Sequence, residues 1–386
     1  MTQAVHPTDP IDAVTHADPY PYYAGLRAGP ALAFDPRLRV WVASRAEVVR
    51  ALLADAAALR VRPPAEAVPA AIADTAAGEV FGQLARMNDG PAHASARLPL
   101  ERALAGLDLT TVRADALRVA QRLAPASLSD SAFALPVAAV AHLLGFADDA
   151  LPQVVTWTRD FVACLSPLSS AGELRAASDA AGALRERFDA LVTLQPARAN
   201  SLLAAVLAQA GDRHGSPAVQ ANLVGLLSQT CDATAGLVGN SLVALAREPG
   251  LLATARAQAD ALDALVQEVA RHDAPVQNTR RFVAQAVEIA GVSLAPGDAV
   301  LLLLGAANRD PALNAEPDAF RLDRTDRRLL GFGHGAHACP GQALACAIAA
   351  AALEALLARG DVDLEGMRQR GWHYRRSVNA RIPVFA

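Results

Sequence analysis

The chain has 386 residues, a formal net charge of −4, 53% hydrophobic residues, only 4% aromatic residues and four cysteines. Near-neutral charge without a basic stripe interleaved with aromatics argues against nucleic-acid binding, and cysteines without paired spacing fit a reducing compartment rather than a disulfide scaffold. The polar start MTQAVHPTDPIDAV has neither an apolar signal core nor an anchor, so a soluble cytoplasmic protein away from the membrane is expected.

No linker, charge block or repeat divides the chain, which reads as one large domain over 1–386. Alanine and leucine at helical spacing, with few β-branched runs, make it mainly α with small β-sheets. All 35 basic residues are arginine, from which nothing functional follows. In order, Asp18-Pro-Tyr-Pro-Tyr-Tyr-Ala-Gly-Leu-Arg27 is a proline-initiated short helix, and Arg39-Val-Trp-Val-Ala-Ser44 alternates as a strand. Ser44 and Glu47 form a capping-box pattern for the next helix. Residues 61–80 do not read as regular structure. A Gly90-Pro turn then opens a helix on which His93 and Arg97 fall at i and i+4, two donors on one face that suit a carboxylate. Leu135–Leu144, Val154–Leu165 and Ala171–Leu191 follow as helices with little chemistry, and the segment 165–172 reads as a loop. His142 is expected in the core or at its edge.

Ser216-Pro217 starts the longest helix, which runs to Arg247; thirty residues at about 1.5 Å each span roughly 45 Å. Its apolar middle holds Ser228-Gln-Thr-Cys-Asp-Ala-Thr-Ala235, a polar cluster that must face something polar or reactive, because buried polar groups need partners. Glu268 and Arg271 lie at i and i+3 on the next long helix. Val287–Ile289 and Ala299–Leu304 flank Ala295-Pro-Gly-Asp298, the sequence of a hairpin turn.

The stretch Leu330-Gly-Phe-Gly-His-Gly-Ala-His-Ala-Cys-Pro-Gly-Gln-Ala-Leu-Ala345 carries the chemistry. Spaced glycines let a loop pass close to a flat partner, and a helix starting beside Cys339 favours a thiolate. No second Cys or His stands at zinc spacing, so the sulfur suits a metal already held by four other ligands, such as haem iron. The spacing Phe332-Gly333-x-Gly335-x-His337-x-Cys339-x-Gly341 resembles the haem-thiolate signature of the cytochrome P-450 family. Cys164, Cys231 and Cys346 lack that surround and read as structural.

The resemblance runs in family order from Asp18 to Arg376–Val384, and implies the following. Haem b (iron protoporphyrin IX) is bound with Cys339 as the axial iron ligand, Phe332 beside the sulfur, Gly341 in the motif, and His337, His93, Arg97 and Arg281 on the propionates. Arg280 is a near alternative to Arg281. Glu268, Arg271 and Arg324 form a structural network. Asp232 matches the distal acid that relays protons, but Ala233 stands where the family usually has an alcohol, and Thr234 is displaced by about 100° around the helix. Gln229 and Thr230 replace small residues. Water in place of the alcohol, proton delivery assisted by the substrate, and chemistry other than hydroxylation all remain open, so Asp232, Ala233, Thr234 and Gln229 are the distal candidates. The segment 61–80 corresponds to a substrate-facing loop and 165–172 to a lid. Expected is a monomeric monooxygenase that inserts one atom of dioxygen into a small, largely apolar organic molecule. Its electrons come from a separate ferredoxin and ferredoxin reductase, for whose docking Arg97, Arg102, Arg327 and Arg328 are candidates. The altered distal helix also fits a peroxide-driven enzyme or a haem protein that does not turn over.

Overall fold

The computed structural model describes residues 6–193, 201–213, 215–258, 260–360 and 362–385. It is mainly helical with small sheets, and its Cα atoms gather into two compact units: Met1–Val61, Gly236–Cys339 and Asp363–Ala386 form the first, Arg62–Ala235 and Pro340–Val362 the second. The chain passes from one unit to the other inside the helix Pro217–Arg247, and again between Cys339 and Pro340.

The first unit carries every strand of the described residues: β1 Leu32–Asp35, β2 Val40–Ala43, β3 Leu59–Arg60, β4 Asn278–Val283, β5 Val287–Ile289, β6 Val292–Leu294, β7 Ala299–Leu303, β8 Trp372–Tyr374 and β9 Pro383–Phe385. Five make one sheet in the order β1-β2-β7-β4-β3, with β2 parallel to β7 and the other pairs antiparallel. Val49, Leu52, Leu59, Val283, Val300 and Leu302 close its core on one side. The turn expected at Ala295–Asp298 does not join Val287–Ile289 to the strand after it. Instead β5 pairs with β6, and β7 lies in the larger sheet between β2 and β4. The reversal between β5 and β6 is made by Ala290 and Gly291 at φ of 53° and 76°, the left-handed pair a tight hairpin needs.

The capping box at Ser44 is also replaced. The helix Ala46–Ala54 starts from Arg45 with no capping bond from its own N-terminal side chains, and Asp310 Oδ2 accepts the Ala46 N–H at 2.8 Å. A carboxylate 264 residues away in sequence thus satisfies the orphan donor and sits at the positive end of the helix.

Among its described residues the second unit is helical throughout. The helix Gln342–Arg359 packs on Leu109–Arg122, which packs on Leu128–Leu143. Arg113 pairs with Glu354 at 3.0 Å, and Arg359 donates to the carbonyls of Ala120 and Leu123 at the end of the neighbouring helix. The segment Gly335–Arg359 is long and apolar enough to cross a membrane, but more than half of it is buried inside the protein. Part of the segment 61–80 is regular after all: Thr75 Oγ1 accepts from Gly78 N–H and starts a helix at Ala76. Ser216 caps the long helix as expected, accepting from Val219 N–H at 3.4 Å.

Candidate active site

In the first unit the loop around Cys339 is closed on itself. Cys339 N–H donates to Phe332 O at 2.7 Å, Gly333 N–H to Leu330 O at 2.8 Å, and Ala338 N–H to Gly335 O at 3.0 Å. Gly333 and Gly335 sit at φ of 75° and 68°, where a side chain is strained. A Cβ on Gly335 would come within 3.0 Å of Ala54 Cα and Leu53 O, so the loop lies directly against the end of the helix Ala46–Ala54. Two asparagines to which sequence reading assigned no role anchor the base of this loop. Asn308, fully buried, accepts Leu330 N–H at 2.7 Å and donates to Ala270 O; Asn314 bonds the carbonyls of Asn308 and Arg328 and accepts from Arg328 N–H. The consequence is that Cys339 is exposed on a fixed loop, whereas Cys164 and Cys231 are buried. Phe332, His337 and Gly341 are half-buried around it in sequence.

Glu268 is the hub of an arginine cluster that reaches into the segment leading to that loop. It takes Arg271 at 2.6 and 3.1 Å, Arg324 at 3.4 Å, Arg327 at 3.0 Å and the N–H of Arg321 at 3.1 Å. Burial alone would raise the Glu268 carboxyl, but the Arg271 guanidinium and the other donors hold it below the usual range. The network of Glu268, Arg271 and Arg324 is as expected. Arg327 belongs to it too, with further bonds to the carbonyls of Arg321 and Leu322, rather than standing on the surface as a docking residue.

On β4, Arg281 is buried and donates to the Arg280 carbonyl at 2.9 Å, while Arg280 is more exposed and its pKa is lowered by desolvation. Alternation along the strand puts the two on opposite faces.

In the second unit the polar cluster of the long helix is laid out by helical period. From Ala221 to Val243 the helix is buried except at Leu226, Gln229, Thr230, Asp232 and Ala233. These fall at i, i+3, i+4, i+6 and i+7, a single open stripe. Gln229 Nε2 donates to Gly225 O at 3.1 Å and Thr230 Oγ1 to Leu226 O at 2.8 Å, so both polar heads fold back on their own helix, which continues without interruption. Thr234 is not on the stripe. It is 2% exposed, on the packed side, and does not join Asp232, Ala233 and Gln229.

The segment just before the His93 helix is bound to the start of that stripe. Asn222 accepts Ala85 N–H at 2.8 Å and donates to Gln83 O at 2.9 Å, and Gly225 lies against Leu84. His93 is buried with Nδ1 2.9 Å from Ala85 O, so that nitrogen carries the proton. Arg97 pairs through Nε with Glu101 at 3.1 Å, while its two terminal nitrogens make no hydrogen bond among the described residues.

Sequence reading missed Arg86, which this bracing brings into the electrostatic reach of Asp232 and Cys164. Part of its side chain stays accessible, and its Nε is buried without a hydrogen-bond partner. Burial lowers its pKa against the opposing pull of Cys164 and Asp232. Burial also pushes the Cys164 thiol up to about 12, so it is neutral.

The donor set fits haem. In the first unit one thiol stands exposed on a hydrogen-bonded loop, where a thiolate can meet iron, and His337 and Arg281 are donors of the kind a carboxylate takes; in the second unit His93 and Arg97 are donors of the same kind. Among the described residues no cluster of His, Cys, Asp and Glu forms a protein-only metal site.

A family model for cytochrome P-450 matches residues 243–370. The chain is 33% identical over 297 residues to cytochrome P-450 144 of Mycobacterium tuberculosis, covering 74% of this chain and 68% of that one. It is 31% identical over 365 residues to the cytochrome P-450 monooxygenase PikC of Streptomyces venezuelae, covering 89% and 84%. Among solved structures, that of CalO2 aligns with a TM-score of 0.84 at 27% identity over 99% of this chain and 98% of that one. BioI, solved in complex with hexadec-9Z-enoic acid ligated acyl carrier protein, aligns at 0.79 and 24% identity, a likeness of fold.

Proposed function

The chain belongs to the cytochrome P-450 family of oxidoreductases, and on that premise we propose that residues 1–386 form one soluble, cytoplasmic, monomeric haem-thiolate domain that oxygenates a small, largely apolar organic molecule. The cofactor is haem b. Cys339 Sγ is the iron ligand, Phe332 and Gly341 shape its surround, and His93, Arg97, Arg281 and His337 hold the propionates. When bound, haem supplies reductive activation of dioxygen and transfer of one oxygen atom to the substrate, with electrons from a ferredoxin and its reductase. The observation that carries the reading is the Cys339 loop, whose glycines and asparagine anchors hold an exposed thiol at a fixed place. Pro340 offers no N–H toward that sulfur, which keeps its charge concentrated.

Asp232 and Gln229 line the open stripe of the long helix and hold water or substrate there; Asp232 is the group able to pass a proton along it. Ala233 brings no hydroxyl to the stripe, and Thr234 is only 2% exposed, so water or a polar group of the substrate completes the path. The same absence favours a second reading, a non-hydroxylating or peroxide-driven oxidation. The haem-thiolate reading is tested by the reduced protein under carbon monoxide. A strongly red-shifted band is expected in the wild type and not in Cys339→Ser; a Cys339→Ser protein that keeps the band overturns it.

A further inference from the structure

Arg86 belongs to no motif. It sits in a short turn, Ala85–Met87, held by backbone and side-chain bonds to the helix that carries Asp232. Asn222, Gly225, Gln229 and Asp232 follow one another at i, i+3, i+7 and i+10, so the brace at Asn222 and the acid lie along one side of that helix. The turn therefore delivers the guanidinium to the polar end of the open stripe by geometry, not by a flexible reach. A guanidinium has five N–H donors in a planar fork. Here it is within electrostatic reach of Asp232 and Cys164, yet no hydrogen bond or ion pair to Arg86 forms among the described residues, and Nε is buried. A fork whose Nε–H is buried without a partner and whose terminal nitrogens are left unbonded has donors to offer a ligand. Were Arg86 only a structural counter-ion for Asp232, the two would be expected to bond as Arg271 bonds Glu268, at 2.6 Å. The neutral Cys164 thiol does not neutralise it either. What remains is a fork suited to an anion, beside a stripe otherwise lined by Leu226, Thr230 and Ala233.

We propose that Arg86 is a specificity-determining residue that binds the carboxylate of an otherwise apolar substrate, so that the substrate class is small organic acids. This rests on the monooxygenase reading for what happens to the acid, but not for its binding. Asp232, within electrostatic reach of the same guanidinium, weakens the attraction for an anion and so tunes the affinity.

The test is calorimetric binding to the haem-loaded protein of three acid and alcohol pairs of matched skeleton: octanoate and octan-1-ol, dodecanoate and dodecan-1-ol, 3-phenylpropionate and 3-phenylpropan-1-ol. At least one acid is expected to bind wild type more tightly than its alcohol, with the preference lost by roughly ten- to hundredfold in Arg86→Gln and partly kept in Arg86→Lys. Asp232→Asn is expected to raise the acid-over-alcohol ratio. No acid preference in any pair overturns the proposal, as does an Arg86→Gln protein that loses acids and alcohols equally. The carbon monoxide band, recorded on the same samples, separates failure of the haem reading from failure of this one, because the acid-over-alcohol ratio is read from heat and not from turnover.

Discussion

At the scale of single residues, the lack of a hydroxyl at Ala233 has the clearest consequence. The Ala233 side chain is part of the open stripe, whereas Thr234, one position on, is 2% exposed in the packed side of the same helix. One step of about 100° takes the side chain off that stripe. Threonine at 233 enters accessible space, so Ala233→Thr is expected to change stability by less than about 1 kcal/mol. If the substrate supplies the missing polar group, product formed per reducing equivalent stays near the wild-type value in Ala233→Thr. A poorly coupled wild type rescued severalfold by the threonine would instead show that the hydroxyl is simply missing. Arg86 makes the complementary point: nothing in the run Ala85-Arg-Met-Asn88 marks it, and its place follows only from how Asn222 grips the neighbouring backbone.

At the scale of elements, the Cys339 loop is stiff because of what lies under it. Glu268 is fully buried among Arg271, Arg324 and Arg327, and those arginines in turn bond carbonyls from Ala315 to Leu322 in the approach to the loop. One carboxylate thus ties a helix to an irregular segment that has no ladder of its own. Glu268→Gln keeps the shape but leaves three guanidiniums without their counter-charge, which is expected to cost about 3–5 kcal/mol. Urea unfolding midpoints measure the loss, and haem retention should fall with it; a midpoint within error of the wild type would show the cluster to be dispensable. The i, i+3 spacing of Glu268 and Arg271 was legible in the sequence, and so was the arrival of Arg324. Arg327 was read as surface because a run of charges with no periodicity gives no sign of burial.

At the scale of the whole molecule, the distant parts of the chain that meet in the first unit make its stability depend on pH. His272 accepts from Arg309 on Nδ1 at 2.9 Å and so carries its proton on Nε2, 3.0 Å from the Asp318 carbonyl. Burial, with the Arg309 charge, pushes its pKa from 6.5 down to about 4. The unfolded chain takes up this proton first, so the contribution is fully present above about pH 6.5 and is lost as pH falls toward 4, by roughly 3 kcal/mol in all. His272→Gln, which keeps an acceptor and a donor, is expected to flatten the fall in urea midpoint across that window; an unchanged pH profile would rule the histidine out as its source. Nearby, Asp273 binds Tyr20 at 2.5 Å and Arg381 at 2.7 Å, residues 253 and 108 positions away. The sequence by itself determined the helical class, the Cys339 loop with its thiol, and the polar interruption of the long helix. Each is a local pattern, set by backbone freedom or helical period within a dozen residues. Only the tertiary structure decided that Asp310 caps the helix at Ala46, that β5 pairs with β6, that Thr234 is packed away, and that Arg86 comes within electrostatic reach of Asp232. Those outcomes depend on which buried donor and acceptor find each other across hundreds of residues, and satisfying them is a property of the packed chain as a whole, with no trace in any short stretch of it.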